Sequence, residues 1–197
     1  MSSSDGQHAI RFEVMRHELS RTRMVRDDIG SPADGEVVLT TSAFGFTANN
    51  ISYAVFGDLL GYWRFFPSDD GWGQIPTWGF ADVTASAHPE VPVGTRLFGY
   101  LPMASHLVLR PSSADPSRVV DGAVHRSALP AAYNTYRVTS ADPLYDPQRE
   151  DVQMLLWPLF FTGFVIDRFL AANDLFGADT VVLSSASSKT AISTAHC

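Results

Sequence analysis

The first half of the chain alternates apolar and polar residues as β-strands do. Residues 10–17, IRFEVMRH, alternate weakly, and residues 35–46, GEVVLTTSAFGF, predict a stronger strand that follows a turn at SPADG. A short helix capped near Thr47 is predicted within TANNISYAVFGDLLGYW. The later stretches ADVTASA and TRLFGYLPMASHLVLRP alternate again and are interrupted by Pro and Gly. This pattern predicts a small barrel of short strands.

From about residue 127 the apolar segments become longer. Residues 127–139, SALPAAYNTYRVT, and residues 148–174 have helical length and period, and Gly177 is a candidate stop for the second helix. Residues 178–186, ADTVVLSSA, form an apolar run typical of a strand inside a parallel sheet, and SSKTAISTAHC is typical of the first turn of a helix. The fold class predicted is mixed α/β, with a β-rich domain at residues 1–145. A linker helix and one βα unit follow at residues 146–197.

Composition and charge exclude some function classes. Hydrophobic residues make up 45% of the chain and charged residues 18%, which is typical of globular proteins. The net charge is −7, and the one sizeable basic cluster, at residues 16–26, is interleaved with acidic residues. A nucleic-acid-binding face needs a basic stripe, so no nucleic-acid partner is expected.

The single cysteine and the apolar segments bear on location. Cys197 cannot form an internal disulfide, and the N-terminal residues lack an apolar core of signal-peptide length, so the chain is expected in the cytoplasm. The most apolar stretch, VQMLLWPLFFTGFVI, has 15 residues and contains Pro158. Because a bilayer span needs about 20 apolar residues, we expect a buried helix there and no membrane insertion.

The stretch TVVLSSASSKTA, residues 180–191, invites comparison with two phosphate-binding turns. A P-loop needs glycine where this chain has Leu183 and Ser188, and the Cβ of Leu183 obstructs the backbone curl. A dinucleotide-binding turn requires only small residues ahead of a helix N-terminus, which this stretch provides. An ordinary strand followed by a serine-rich turn is the alternative.

The order of segments gives a resemblance. GEVVLTTSAFGF, then IPTWGFADVTASAHPEVPVGTRLFGY, then ASHLVL, then a helix leading to VVLSSASSKTA resembles the medium-chain dehydrogenase/reductase superfamily. In that superfamily a GroES-like domain precedes a Rossmann nucleotide-binding domain. Ile75-Pro76 and residues 93–97, VGTRL, stand where family motifs stand. TANNISYAVFGDLLGYW and SSASSKTA are similar, more narrowly, to an uncharacterised bacterial family related to quinone oxidoreductases.

The resemblance implies a zinc-free enzyme. Where zinc-dependent members carry Cys and His-Glu, this chain reads SAFGFTANN and Thr77-Trp78-Gly79, so we expect no metal. The implied activity is NAD(P)H-dependent reduction of a small apolar enone, quinone or carbonyl compound, with NADP or NAD as cofactor. A homo-oligomer is also possible. The residues that would contact the cofactor are Ser185, Ser187, Ser188, Lys189 and Thr190.

The position of this turn gives a further expectation. A ribose-reading residue would lie about 20 residues beyond the turn, past Cys197. The chain is therefore expected to be a C-terminally truncated part of a longer reductase and inactive by itself. A non-catalytic module that binds a small ligand or a partner is the alternative.

The resemblance also places catalytic candidates after the first family strand. Asn49, Asn50 and Tyr53 would line the nicotinamide and substrate cleft, where an amide or a phenol can donate a hydrogen bond to the acceptor oxygen. The structural alternative is that Asn49 turns or caps the chain and Tyr53 packs in the core.

Aromatic residues are concentrated in the following segment. Trp63, Phe66 and Trp78 are candidates for the floor of an apolar substrate pocket. Aromatic clusters are more often plain core, and that alternative stays open at this point.

Overall fold

A computed structural model describes residues 8–197 of the chain. The chain divides into two compact units, Met1–Pro147 and Gln148–Cys197. The fold is mixed α/β, with a curled antiparallel sheet that forms half a barrel and with three helices. The predicted fold class, a β-rich domain followed by a helix, is confirmed.

The described residues of unit 1 form two antiparallel sheets. The smaller has the order β2-β1-β4 and the larger the order β7-β3-β5-β6-β10-β9-β8. The strands are β1 His8–Met15, β2 Glu18–Asp28, β3 Val37–Gly45, β4 Trp72–Gly73, β5 Pro76–Ser86, β6 Arg96–Pro102, β7 His106–Leu109, β8 Pro111–Asp115, β9 Arg118–Asp121 and β10 Thr135–Val138. A bridge between Arg11 and Ala104 joins β1 to the segment before β7.

Alternating residues of the larger sheet form the main core of unit 1. Val37, Leu39, Val83, Leu97 and Tyr136 are among its buried members. Side chains of one strand alternate between the two faces of a sheet, so the predicted period of two places these residues on the inner face. Each large apolar side chain buried in this way contributes about 1.5–3 kcal/mol relative to an exposed one.

Helix α1, Ala48–Val55, begins where the sequence predicted. Thr47 is the N-cap residue, and its hydroxyl accepts from Asn49 N at 3.2 Å. Asn50 returns a bond, because its Oδ1 accepts from Thr47 N at 2.7 Å. This reciprocal capping box satisfies backbone donors that a helix N-terminus leaves unpaired.

The helix predicted over residues 127–139 is wrong. The structure has a 3₁₀ turn at Ala131–Tyr133, followed by strand β10. β10 pairs with β6 and β9, so Tyr136 and Val138 are buried in the sheet. Tertiary pairing of β-branched and aromatic residues outweighs the short helical period of this segment.

Unit 2 is helical. Helix α2, Glu150–Ala172, packs on helix α3, Lys189–His196, where a Cβ added at Gly163 would meet Ser193 and the backbone of Thr194. Gly163 is the only buried residue of α2. The prediction of a buried helix is therefore wrong, since α3 covers only one strip of its surface.

Helix α2 is long and apolar enough to cross a membrane by length and composition alone. It has 23 residues, and its most apolar window has a mean hydropathy of 1.5. One such helix is weak evidence for a membrane segment, because helices in protein cores share these properties.

The strand predicted at residues 178–186 is also wrong. Residues 178–188 are irregular backbone and turn, and a 3₁₀ turn at Asp174–Gly177 precedes them. A buried parallel strand needs a hydrogen-bonded neighbour, and the described elements of unit 2 are all helical. The helical start predicted after the serines is confirmed by α3.

Candidate functional site

Four tyrosine rings from separate segments meet in unit 1. They are Tyr53 of α1, Tyr62 of the 3₁₀ turn Tyr62–Arg64, Tyr100 of β6 and Tyr133 of the turn before β10, and we name them the tyrosine cluster. The ring centroids of Tyr53 and Tyr62 lie 4.6 Å apart, as do those of Tyr100 and Tyr133. Tyr53 and Tyr100, 6.0 Å apart, are buried, whereas the other two are half-buried. The cluster therefore has an inner and an outer pair of rings.

Asn50 fixes helix α1 against the sheet. Its Nδ2 donates to Pro76 O at 2.8 Å, while its Oδ1 accepts from Thr47 N. The side chain is buried, and both ends of the amide are used. The structure thus places Asn50 as a positioning residue that orients the exposed start of α1, with its amide turned to the backbone.

Asn49 and Tyr53 lie one turn apart on α1, so their side chains meet. Asn49 Nδ2 donates to the Tyr53 hydroxyl at 2.9 Å, and the indole of Trp78 also interacts with that hydroxyl. Because a phenol carries one donor and two acceptor lone pairs, this bond from Asn49 leaves the hydroxyl hydrogen available for a ligand. The alternative in which Asn49 only caps the helix does not describe this contact, since its side chain reaches Tyr53.

The protonation of Tyr53 suits a hydrogen-bond donor. Burial raises the pKa of Tyr53, and the neighbouring Tyr62 raises it further. The contacts from Trp78 and Asn49 act in the opposite direction but do not reverse the rise. The hydroxyl therefore stays neutral around neutral pH and keeps the hydrogen that it would donate.

Tyr100 has a buried hydroxyl without a hydrogen-bond partner among the described residues. Its side chain is 0% exposed, and burial raises its pKa well above the usual value. A buried polar group left unpaired costs about 1–3 kcal/mol. An acceptor atom that reached this hydroxyl would remove that cost.

Of the three aromatic residues predicted to contact substrate, two lie beside the tyrosine cluster and one does not. Trp78 belongs to the site, since its ring lies 5.2 Å from that of Tyr100 and 5.9 Å from that of Tyr133. Phe66 lies 6.1 Å from Tyr100 and is buried. Trp63 is in a different core cluster, with residues of β1 and α1, and does not join the tyrosines. The plain-core interpretation thus describes Trp63.

The predicted cofactor residues lie in unit 2, around the start of α3. Ser188 is the N-cap, and its Oγ accepts from Ala191 N at 3.1 Å. Ser185 has a φ of 52°, a conformation that glycine adopts more readily than serine. Ser187, Ser188 and Lys189 are exposed, and Thr190 is half-buried. The turn offers hydroxyls, one ammonium and a helix N-terminus, without the strand that positions a dinucleotide turn in Rossmann folds.

Sequence reasoning did not identify Tyr62, Tyr100 and Tyr133 as site residues. Tyr62 stood in an aromatic segment whose turn structure has no period, and Tyr133 stood in the segment mistaken for a helix. Tyr100 lies in β6, where all residues from Leu97 to Pro102 are buried, so the pattern does not distinguish it from core. Among the described residues, no group of three or more His, Cys, Asp or Glu side chains could hold a metal ion.

Comparison with known proteins gives a family without an assigned activity. Residues 44–197, more than half of the chain, match the family described as "Protein of unknown function (DUF2855)". No curated protein matches the chain.

The solved structure of CurA from Vibrio vulnificus is similar to part of this chain. It is 15% identical, with a TM-score of 0.40 over 54% of this chain and 31% of that one. This chain thus spans about a third of the length of the CurA chain.

Proposed function

We propose a function for this chain from the premise that it belongs to the DUF2855 family. Unit 1 carries a site for the carbonyl oxygen of a small apolar compound, built around Tyr53. The whole protein is a zinc-independent, NAD(P)H-dependent reductase of enones, quinones or similar carbonyl compounds. The observation that supports this most is the buried Tyr53 hydroxyl, which accepts from Asn49 and keeps its hydrogen for donation.

The chemistry of enone reduction suits such a group. When hydride adds to the carbon conjugated with a carbonyl, negative charge develops on the oxygen, and a fixed donor stabilises that charge. Tyr53 supplies the donor, and Asn49 holds its oxygen in place. Removal of one such donor typically lowers the rate about 10²–10³-fold. The aromatic side chains around Tyr53 exclude water and contact the apolar part of the substrate.

The dinucleotide, when bound, supplies the hydride. We propose that Ser185, Ser187, Ser188, Lys189 and Thr190 contact its phosphates at the start of α3. Helix N-termini favour anions, and the ammonium of Lys189 adds a charge-assisted contact.

Binding of cyclohexenone tests the carbonyl site without requiring turnover. We expect amide resonances around Asn49 and Tyr133 to shift on titration, and Tyr53→Phe to weaken binding about three- to tenfold, the value of one hydrogen bond. Tyr145→Phe, which removes a half-buried phenol elsewhere in unit 1, is the matched control. Equal affinities of Tyr53→Phe and the unchanged protein would contradict the proposal.

A second candidate function is a non-catalytic module that binds small apolar ligands in the same aromatic site. The irregular backbone of residues 178–188 and the absence of glycine from residues 180–191 favour it. Calorimetry with NADPH and NADH on the whole protein separates the two. If the protein binds a dinucleotide and if Ser188→Ala and Lys189→Ala weaken that binding, the reductase is supported. If it binds cyclohexenone but neither dinucleotide, the non-catalytic module is supported.

A further inference from the structure

Unit 1 contains a cavity of about 280 Å³ that none of the four tyrosines lines. Residues of β1 and β7 contribute to its wall, together with the segment after β2 and residues 65–67, and we name it the β1–β7 cavity. Its apolar wall includes Ile10, Ile29, Phe65, Phe66, Leu107 and Val108. An apolar cavity of about 150 Å³ accommodates benzene, so the β1–β7 cavity has room for a substituted benzene.

The charges at this cavity are balanced. Arg126, 1% exposed, forms an ion pair with the equally buried Asp121 at 3.1 Å and donates from Nε to Phe65 O at 3.1 Å. Arg11 forms ion pairs with Asp27 at 2.6 Å and with Glu13 at 2.8 Å. Since both guanidinium groups that line the cavity already have carboxylate partners, the wall favours a neutral ligand over an anion.

His106 is the one lining residue with an unused polar atom that is buried. Ser105 Oγ accepts from Ile10 N at 2.9 Å and lies 2.8 Å from His106 Nδ1. If the serine hydroxyl donates to Nδ1, both groups are satisfied, and this tautomer places the ring hydrogen on Nε2. His106 Nε2 is shut off from solvent and has no hydrogen-bond partner among the described residues. Burial also lowers the pKa of His106, which keeps the ring neutral.

We propose that the β1–β7 cavity is a second binding site, for a small neutral molecule with an apolar body and one acceptor oxygen. The oxygen accepts from His106 Nε2 when the ring turns toward the cavity, and the body contacts Phe65, Phe66 and Leu107. In the present ring orientation Nε2 is unpaired and closed to solvent, so rotation of the ring toward the cavity would pair this donor with the ligand oxygen. The site uses none of the four tyrosines, although Phe65 and Phe66 also pack against Tyr100, and it does not depend on the reductase function.

Titration of the full chain with acetophenone tests the site. Isopropylbenzene is the matched probe that lacks the oxygen, and benzoate is the anionic probe. We expect acetophenone to shift the amide resonances of Ile10 and Leu107. The hydrogen bond is read from how the ratio of the acetophenone to the isopropylbenzene affinity changes when His106 is substituted, because the difference in hydrophobicity between the probes then cancels. Benzoate should bind more weakly than acetophenone.

Variants assign the interaction to His106. His106→Phe should lower the acetophenone affinity about tenfold relative to that of isopropylbenzene, whereas His106→Gln, which keeps an N–H donor, should retain part of it. His17→Phe, at an exposed histidine, should change nothing. Ile29→Trp should fill the cavity and abolish binding, and the dispersion of amide resonances shows whether each variant is folded.

Two results would overturn the proposal. One is a ratio of acetophenone to isopropylbenzene affinity that is the same in the unchanged protein and in His106→Phe. The other is acetophenone binding that survives Ile29→Trp, shifts Asn49 and Tyr133, and disappears in Tyr53→Phe. The second result would assign the probe to the tyrosine cluster and leave the proposed function standing. If the protein does not bind cyclohexenone but acetophenone still shifts Leu107, the β1–β7 cavity would be supported and the proposed function of the tyrosine cluster would be contradicted.

Discussion

Two buried tyrosines, Tyr100 and Tyr136, differ in the hydrogen bonding of their hydroxyl groups. The Tyr136 hydroxyl donates to Tyr100 O at 2.8 Å and accepts from Arg126 at 2.9 Å. The Tyr100 hydroxyl has no partner among the described residues. Tyr136→Phe should therefore lower the free energy of unfolding by about 1–3 kcal/mol, because Arg126 loses a buried acceptor.

Tyr100→Phe should be neutral or stabilising, because it removes a buried group that is unpaired. Urea unfolding of the two single variants measures both effects on the same protein. Equal destabilisation by the two substitutions would show that the Tyr100 hydroxyl has a stabilising partner and would weaken its role as a free donor.

Burial of phenols also predicts how stability depends on pH. Burial is the main cause that raises the pKa of Tyr53, Tyr100 and Tyr136 above the ordinary value of 10.0. Below pH 10 both the folded and the unfolded chain keep these protons, so these groups leave stability independent of pH. Above it the unfolded chain loses protons that the folded chain retains, and the free energy of unfolding falls until the folded pKa values are passed.

Alkaline titration followed by tyrosinate absorbance tests this dependence. We expect the buried tyrosines to ionise only together with cooperative unfolding, and urea midpoints to fall above pH 10. Ionisation of every tyrosine near the ordinary value in the folded chain would mean that the cluster is open to solvent.

At the scale of elements, β5 and β6 approach their neighbours through an opposed pair of glycines. Gly79 and Gly99 are cross-strand partners. A Cβ at Gly99 would collide with the ring of Tyr136, and one at Gly79 would collide with Ala43 O. Neither collision involves the flexible end of a side chain, so relief requires movement of the sheet or of a packed ring.

Gly99→Ala should therefore destabilise unit 1 by about 1–3 kcal/mol through overpacking. Gly30→Ala is the matched control, because a Cβ at Gly30 would have no atom within 4 Å. Thermal unfolding followed by circular dichroism measures both. A Gly99→Ala variant as stable as Gly30→Ala would contradict the packing described here.

Local patterns predicted the elements that depend on local chemistry. Strand β3, the Thr47 cap and the start of α3 follow from alternation and capping residues. Strand β2 was not predicted, because it is an edge strand whose charged side chains, such as Arg21 and Arg26, are exposed. Residues 178–186 have the composition of a buried strand, yet they lack the neighbouring strand that would make them one.

At the scale of the whole molecule, the candidate site depends on contacts that no local pattern encodes. The family resemblance supplied Asn49 and Tyr53 of α1, and the concentration of aromatic residues supplied Trp78 of β5. Tyr62, Tyr100 and Tyr133 join them only because the curled sheet brings two 3₁₀ turns and β6 together. Long-range closure of this kind is set by the fold of unit 1 as a whole, so sequence spacing could not reveal it.

The carbonyl stretching frequency of bound cyclohexenone tests the central claim most directly. A hydrogen bond to the oxygen weakens the carbonyl bond, so isotope-edited difference infrared spectroscopy reads the donor at the atom concerned. We predict a lower frequency in the unchanged protein than in an apolar solvent. In Tyr53→Phe the frequency should move most of the way back to the value in the apolar solvent, whereas in Tyr145→Phe it should stay low. An identical frequency in the unchanged protein and in Tyr53→Phe would show that Tyr53 does not bind the carbonyl oxygen.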